Sequence, residues 1–130
     1  MIHHIDKSGL GLELDADVKK YIDRKIGRLD RYMPRHARKT VHADVKLRLT
    51  DNKSGNKYEC EAMLHLPGGN VTAKESTLNM FAAVDIVEAK LKNQLRKYKE
   101  AHIQHIKDRR KGIVRRVRER FFASASQGEE

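Results

Sequence analysis

The chain has 130 residues, with 28 lysines and arginines against 18 aspartates and glutamates, so its formal net charge is +10. Hydrophobic residues make up 38% and charged residues 35%, a balance that suits one small domain with an extension. No apolar run approaches the roughly 18 residues of a membrane helix, and the N-terminus lacks a signal-peptide pattern. We therefore expect neither a membrane-spanning nor a secreted protein, and the single cysteine, Cys60, agrees with a reducing cytoplasm.

The positive charge is concentrated toward the C-terminus. Up to Leu95 there are 17 basic and 13 acidic residues, a net charge of +4, whereas Arg96 to Arg120 contain 11 basic and 3 acidic residues, a net charge of +8. This gradient favours a polyanionic partner, because cationic side chains that neutralise phosphates release condensed counterions. The alternative is a solvated, highly charged helix that binds nothing in particular.

The first predicted elements are a short strand over residues 2–8 and an amphipathic helix. Gly9 and Gly11 interrupt the strand pattern, Asp15 is a suitable N-cap, and the helix is expected to end near Met33. Its apolar positions recur every three or four residues and are Val18, Ile22, Ile26 and Leu29. A basic face of the same helix carries Lys20, Arg24, Arg28 and Arg31. Lys25 lies nearer the apolar stripe, where it is expected to bury its stem.

Three strands are predicted next, because apolar and polar residues alternate with a period of two. The first strand places Val41, Ala43, Val45, Leu47 and Leu49 on one side. A hairpin connection is predicted over residues 51–56. The return strand alternates through Tyr58, Cys60, Ala62, Leu64 and Leu66. A tight turn at Pro67, Gly68 and Gly69 then leads to a third strand with Val71 and Ala73 inward.

A second helix has the clearest apolar stripe in the chain. The stripe consists of Met80, Val84, Val87, Leu91, Leu95 and Tyr98, widened by Ala83 and Ile86. Its opposite face carries Lys90, Lys92, Arg96, Lys97 and Lys99. Beyond Lys99 the chain is either a continued helix or an arm that orders on a partner, and residues 123–130 are expected to be disordered.

These elements predict an α+β fold of order β-α-β-β-β-α. We expect a four-stranded, mostly antiparallel sheet with both helices on one face, which buries two apolar helical stripes against one apolar sheet face. The domain would span residues 1–100, followed by a basic, helical or partly disordered extension over residues 101–130.

Motifs for chemistry are not found in the sequence. There is no phosphate-binding glycine loop, nucleophile elbow or paired-histidine zinc motif, and Cys60 alternates with core positions, so we expect no enzyme. His3 and His4 are adjacent, and His102 and His105 are three residues apart. Without a cysteine pair or a carboxylate at ligand spacing near them, we expect no metal site and no cofactor.

A set of spaced segments resembles the ribosome hibernation promoting factors and ribosome-associated inhibitors. The segments run over residues 62–69, at Ala73, over residues 79–85, at Leu91 and over residues 94–99, and the first helix, with Lys25 and Leu29, is similar as well. The resemblance covers about residues 1–100. Asn79 stands where the family usually has an acid before Met80, which leaves a residue able to cap the helix.

The resemblance implies a cytoplasmic stress or stationary-phase factor that inhibits translation without chemistry. Such a factor binds the small ribosomal subunit and its ribosomal RNA in the channel for messenger RNA and for tRNA in the decoding and peptidyl sites. It thereby competes with both ligands and protects the idle ribosome. The chain resembles the short form of the family, so we expect a monomer on the ribosome, with no membrane or DNA partner. The fold implied is also similar to double-stranded RNA-binding domains.

The ribosomal RNA contacts implied by the resemblance are basic residues of both helices: Lys25, Arg28, Arg31, Lys90, Arg96 and Lys97. The position of further basic residues on the same helix faces adds Lys20, Arg24, Lys92 and Lys99.

Two other functions remain open from the sequence. The first is a general RNA-binding or RNA-chaperone module without ribosome specificity, which would not prefer small subunits over duplex RNA. The second is a regulatory protein-interaction module with an acidic partner, although no exposed apolar patch in the sequence supports it.

Overall fold

The computed structural model describes residues 1–50, 55 and 57–128, and the side chains of all of these except 105, 106 and 113–128. The elements in chain order are β1 (Ile5–Leu10), α1 (Ala16–Gly27), a 3-10 helix (Arg28–Tyr32), α2 (Arg35–Arg38), β2 (His42–Leu49), β3 (Tyr58–Leu66), β4 (Gly69–Thr77) and α3 (Met80–Gly128). The predicted order is confirmed, with a 3-10 helix and the short α2 added between α1 and β2. The chain divides into two compact units, Met1–Lys97 and Tyr98–Glu130.

The four strands form one mixed sheet in the order β1-β2-β3-β4. β1 pairs with β2 in parallel, and the other two pairings are antiparallel, so the mostly antiparallel sheet is confirmed. Because the β1–β2 pair is parallel, the chain between these strands must cross over, and α1 supplies that crossover. One register row that crosses all four strands is Ile5, Ala43, Leu64 and Val71.

The core lies between one sheet face and the two long helices. The sheet contributes Ala43, Val45, Leu47, Cys60, Ala62, Leu64 and Ala73 to it. The helical layer contributes Val18, Ile22, Ile26, Leu29, Ala83, Val84, Val87, Leu91 and Leu95. Two predicted core positions were wrong: Leu49 is 51% exposed at the end of β2, and Ile86 is 39% exposed on α3. Each residue continues the apolar pattern of its own element, but it lies beyond the part of that element that packs against the opposite layer.

The first strand begins later than predicted. The amide of Ile2 donates to the carbonyl of Gly27 at 3.0 Å, so the first residues bind the end of α1 rather than extend β1. Gly9 lies inside the strand, where an added Cβ would come within 2.3 Å of the Leu12 carbonyl oxygen. The chain therefore leaves the strand only at Gly11, which has a φ of 76°.

Capping residues set where both long helices begin. The side chain of Asp15 accepts a hydrogen bond from the Val18 amide at 2.9 Å, which confirms it as the N-cap of α1. The side-chain oxygen of Asn79 accepts from the Phe81 amide at 2.8 Å at the start of α3. Asn79 thus supplies a neutral cap in the position where an acid was expected.

The loop between β2 and β3, predicted as a hairpin over residues 51–56, lies outside the described residues except for Gly55. The backbone of α3 is helical as far as Gly128, and the last two residues lie outside the described part; the disorder expected from Ala123 stays a prediction. None of the described helices combines the length and hydropathy required to cross a membrane.

Candidate nucleic-acid interface

α1 and α3 meet along a seam of aromatic, acidic and basic side chains on the side of the helical layer away from the sheet. Near its start the Tyr21 hydroxyl donates to Asp85 Oδ1 at 2.5 Å, and the Tyr21 ring meets the edge of Phe81 at 5.0 Å. The hydrogen bond to Asp85, aided by partial burial, raises the pKa of Tyr21 to about 12. Lys25 Nζ lies 3.5 Å from the same carboxylate. Tyr21 is therefore a neutral donor that helps to hold the two helices together.

The seam continues through the 3-10 helix. Arg28 lies 3.8 Å from a carboxylate oxygen of Glu88, and Lys92 Nζ lies 4.9 Å from the centre of the Tyr32 ring. The residue numbers of the contacting pairs increase together along α1 and α3. The two helices therefore run side by side in the same direction. One face of the Tyr32 ring is therefore covered in part by a lysine of α3.

The ten predicted contact residues divide into two groups by their surroundings. The exposed set, in which no member forms an ion pair with any described residue, consists of Lys20, Arg24, Arg31, Arg96, Lys97 and Lys99. Within it, the Arg24 guanidinium lies 5.2 Å from the Tyr21 ring centre and keeps its outer edge in solvent. Lys99 belongs to the second unit, and the other five belong to the first. These side chains are exposed, and none of them must leave a carboxylate of a described residue before it meets a phosphate oxygen.

The engaged set consists of Lys25, Arg28, Lys90 and Lys92. Three of them bind carboxylates, and Lys92 lies over Tyr32. Lys90 is distant from the seam: its Nζ donates to Glu75 at 2.6 Å and to the Lys74 carbonyl at 3.1 Å on β4. This bond holds the pKa of Glu75 below its usual range. An anion that approaches the engaged set must compete with these internal partners.

The same helix-to-sheet pairing occurs at the other edge of the sheet. Lys7 on β1 is 19% exposed, and its Nζ donates to Asp23 of α1 at 2.7 Å. α1 is therefore fastened over β1 in the way that Lys90 fastens α3 over β4. These ion pairs fix the positions from which both helices present their exposed cations.

Further basic residues were missed by the sequence prediction. Arg35, Arg38 and Lys39 are exposed in and after α2, and Arg38 Nε donates to the Met33 carbonyl at 3.1 Å. Four of the five residues after Pro34 carry a basic or imidazole side chain, and this local cluster could have indicated a basic surface in the sequence. The acids of the seam were also missed, because nothing in the spacing of Asp85 and Glu88 shows which helix they will meet.

Cys60 is fully buried, as predicted, and burial raises the pKa of its thiol to about 12. It is therefore unsuited to nucleophilic chemistry.

Among its described residues the structure brings together a group of metal-ligating side chains that the sequence did not reveal, namely His42, Asp44 and His65 on the other face of the sheet. The sequence does show His42 and Asp44 two residues apart on one predicted strand. That His65 lies beside them depends on the β2–β3 register, which the sequence does not give.

Comparison with known proteins was made on sequence and on fold. The family model described as Sigma 54 modulation protein / S30EA ribosomal protein matches residues 5–103. A ribosome hibernation promotion factor of Deinococcus radiodurans is 32% identical over 106 residues, which are 81% of this chain and 52% of that protein. A ribosome hibernation promoting factor of Azotobacter vinelandii is 33% identical over 100 residues, 77% of this chain and 86% of that protein.

Two solved structures have a similar fold. The Protein Y N-terminal domain of Thermus thermophilus has a TM-score of 0.62 at 29% identity, covering 73% of this chain and 98% of that one. A ribosomal subunit interface protein of Coxiella burnetii has a TM-score of 0.61 at 26% identity, covering 75% and 98% of the two chains. Both likenesses cover nearly the whole of the other protein and about three quarters of this one.

Proposed function

The chain belongs to the Sigma 54 modulation protein / S30EA ribosomal protein family, and from this premise we propose that it is a ribosome hibernation factor that binds the small ribosomal subunit. The family match and the named relatives confirm the resemblance seen in the sequence. The chain spans about half the length of the Deinococcus relative and 86% of the Azotobacter one. The proposed activity therefore concerns the domain that all of these proteins share.

The proposed mechanism is occupancy. The domain binds in the channel used by messenger RNA and by tRNA in the decoding and peptidyl sites, and an occupied channel cannot load either ligand. Translation is inhibited and the idle subunit is protected without a bond being made or broken. The protein acts in the cytoplasm as a monomer on the ribosome, with ribosomal RNA as its direct partner and without membrane or DNA.

The exposed set is the observation that supports this proposal most directly. Five of its six cations project from the helices of the first unit, whose apolar stripes are packed on the sheet, so these five are presented from a packed layer. Such presentation suits a folded RNA surface, which proteins recognise by shape and phosphate contacts. The engaged set contributes by holding the helices in register and by adding contacts wherever RNA phosphates outcompete Asp85 and Glu88.

The later part of α3, most of which lies in the second unit, adds a further positive region. Arg96 to Arg120 carry a net charge of +8, and the backbone of this stretch is helical. We propose that it lies along ribosomal RNA or threads into the messenger channel. A chain truncated after Lys99 should bind small subunits more weakly than the full chain. Equal affinity of the two would contradict a role for the extension.

Cosedimentation with small subunits and whole ribosomes tests the main proposal. The purified chain is spun with each particle at two salt concentrations, with and without bound tRNA and messenger RNA. Stoichiometric binding that tRNA and messenger RNA exclude supports occupancy. Binding that is indifferent to both ligands, and equal to binding of the same mass of duplex RNA, would instead indicate a general RNA-binding module.

A further inference from the structure

The face of the sheet turned away from the helices carries a compact group of imidazoles and carboxylates. On β2 the side chains of Ala43 and Val45 are buried under the helices, so His42 and Asp44 point to the opposite, open face. His65 on β3 is the register partner of His42. The three side chains are all partly exposed, and one ligand atom from each lies within 4.8 Å of the others.

The three groups already contact one another, and the stacked rings must turn about their side-chain bonds before both can direct a nitrogen at one ion. His65 Nε2 and Asp44 Oδ2 are 2.7 Å apart, and the rings of His42 and His65 stack at 4.1 Å with an angle of 13° between their planes. A carboxylate and two imidazoles are thus held on three neighbouring positions of a rigid sheet.

We propose that His42, Asp44 and His65 bind a divalent transition-metal ion of the zinc class on the open face of the sheet. Two imidazoles and one carboxylate form a ligand set that Zn²⁺ uses, with a fourth position left to water. Donor atoms about 2.0–2.1 Å from a tetrahedral ion lie about 3.3 Å from one another. The His65–Asp44 contact must therefore open by well under 1 Å, and the proton between the two atoms must leave.

The surroundings favour a cation at this place in an otherwise basic protein. Asp6 on β1 is the register partner of Asp44, which places a second carboxylate beside the first. The ring of His4 meets His42 edge-on at 5.9 Å. A surface pocket lined by His4, Asp6 and His42 opens next to the cluster and provides access from solvent, with Arg38 and Lys39 also among its lining residues. The site differs from our expectation of no metal site, which considered only histidines close in sequence.

The proposal does not rest on the ribosomal function, because α1 and the first-unit part of α3 cover the opposite face of the sheet. It is tested on the full chain alone, purified without a histidine tag and stripped of metal. Zn²⁺ is added in competition with a chromophoric chelator. We expect one ion per chain, bound through the unprotonated nitrogen of each imidazole.

A double variant, His42→Gln with His65→Gln, removes two ligands. Loss of an outer-shell partner already weakens metal binding by about 10- to 100-fold, so loss of two ligands should weaken Zn²⁺ binding by about 100-fold or more. The matched control, His36→Gln with His102→Gln, removes the same number of imidazoles elsewhere and should retain the affinity of the unchanged chain. Equal Zn²⁺ affinity in the two double variants would overturn the proposal.

A measurement on the unchanged chain keeps the test decisive if the double variant fails to fold. Imidazole nitrogen resonances are followed by NMR during the Zn²⁺ titration. The signals of His42 and His65 should shift together and saturate at one equivalent. Shifts confined to other histidines, or no saturation, would show that Zn²⁺ binds elsewhere on the surface and that the cluster is not the site.

Discussion

The division of the basic residues into an exposed and an engaged set predicts how the salt dependence of ribosome binding responds to mutation. One variant replaces four members of the exposed set in the first unit, Lys20, Arg31, Arg96 and Lys97, with glutamine. A second variant replaces the four members of the engaged set in the same way. Both lose the same formal charge, so they differ only in whether the lost cation had an internal partner.

The magnitude follows from counterion release. Six exposed cations on phosphates give a log-log salt slope of about −4 with the single-strand coefficient, which weakens binding about 300-fold over a fourfold rise in salt. With four of them removed, the slope should become shallower, at about −1.4, and the same salt rise should weaken binding only about sevenfold. The engaged variant should keep a steeper slope, because those cations must leave a carboxylate or an aromatic ring before they can meet a phosphate.

The assay is cosedimentation with small subunits over a series of monovalent salt concentrations at constant Mg²⁺. Urea unfolding of both variants serves as the control for fold integrity, since surface ion pairs contribute about 0–1 kcal/mol each. If the exposed-set variant retains a slope near −4, those residues do not contact phosphates. If both variants lose the same slope, internal pairing does not determine which cations bind RNA.

Three further predictions concern the fold. Asp15→Ala removes the N-cap of α1 and should lower the free energy of unfolding by about 1 kcal/mol in urea titrations, whereas an unchanged midpoint would show that the cap hydrogen bond is not stabilising. Cys60, with its pKa raised to about 12, should resist alkylation at pH 8 in the native protein and react fully in urea; rapid native labelling would contradict its burial. Because the pKa of Asp44 is lowered in the folded state, its stabilising effect is complete above its unfolded pKa of about 3.9 and is lost as the pH falls through the folded value. Urea midpoints should therefore fall between pH 5 and pH 2 by less in Asp44→Asn than in the unchanged chain, and an equal fall would assign the acid sensitivity to other groups.

Periodicity predicted the elements well wherever a single face is buried. The alternation from Val41 to Leu47 and the stripe from Val84 to Leu95 both became core, because a half-buried strand and a packed helix each impose their own period. Predictions were wrong at the limits of the opposing layer, as at Leu49 and Ile86. A local pattern contains no information about how far the partner element extends.

The candidate interface was only partly predictable for a related reason. Helix faces are local, so the exposed cations could be proposed from spacing alone. Which cations meet an acid is set by tertiary packing: Asp85 is 60 residues from Lys25 in the chain, yet its carboxylate lies 3.5 Å from the lysine. The same limit applies to His65, whose place beside His42 depends on the β2–β3 register.

The ion pairs of Lys7 and Glu75 have a consequence for self-association. β1 and β4 are the two edges of an open sheet, and an open edge offers unpaired backbone groups to a second chain. Each edge strand turns one charged side chain inward, toward a helix that holds it. A second copy that added a strand at either edge would meet a half-buried, inward-pointing charge and the helix that binds it. Inward-pointing charges of this kind disfavour edge-to-edge pairing, so the open sheet has a device against aggregation at each of its two edges.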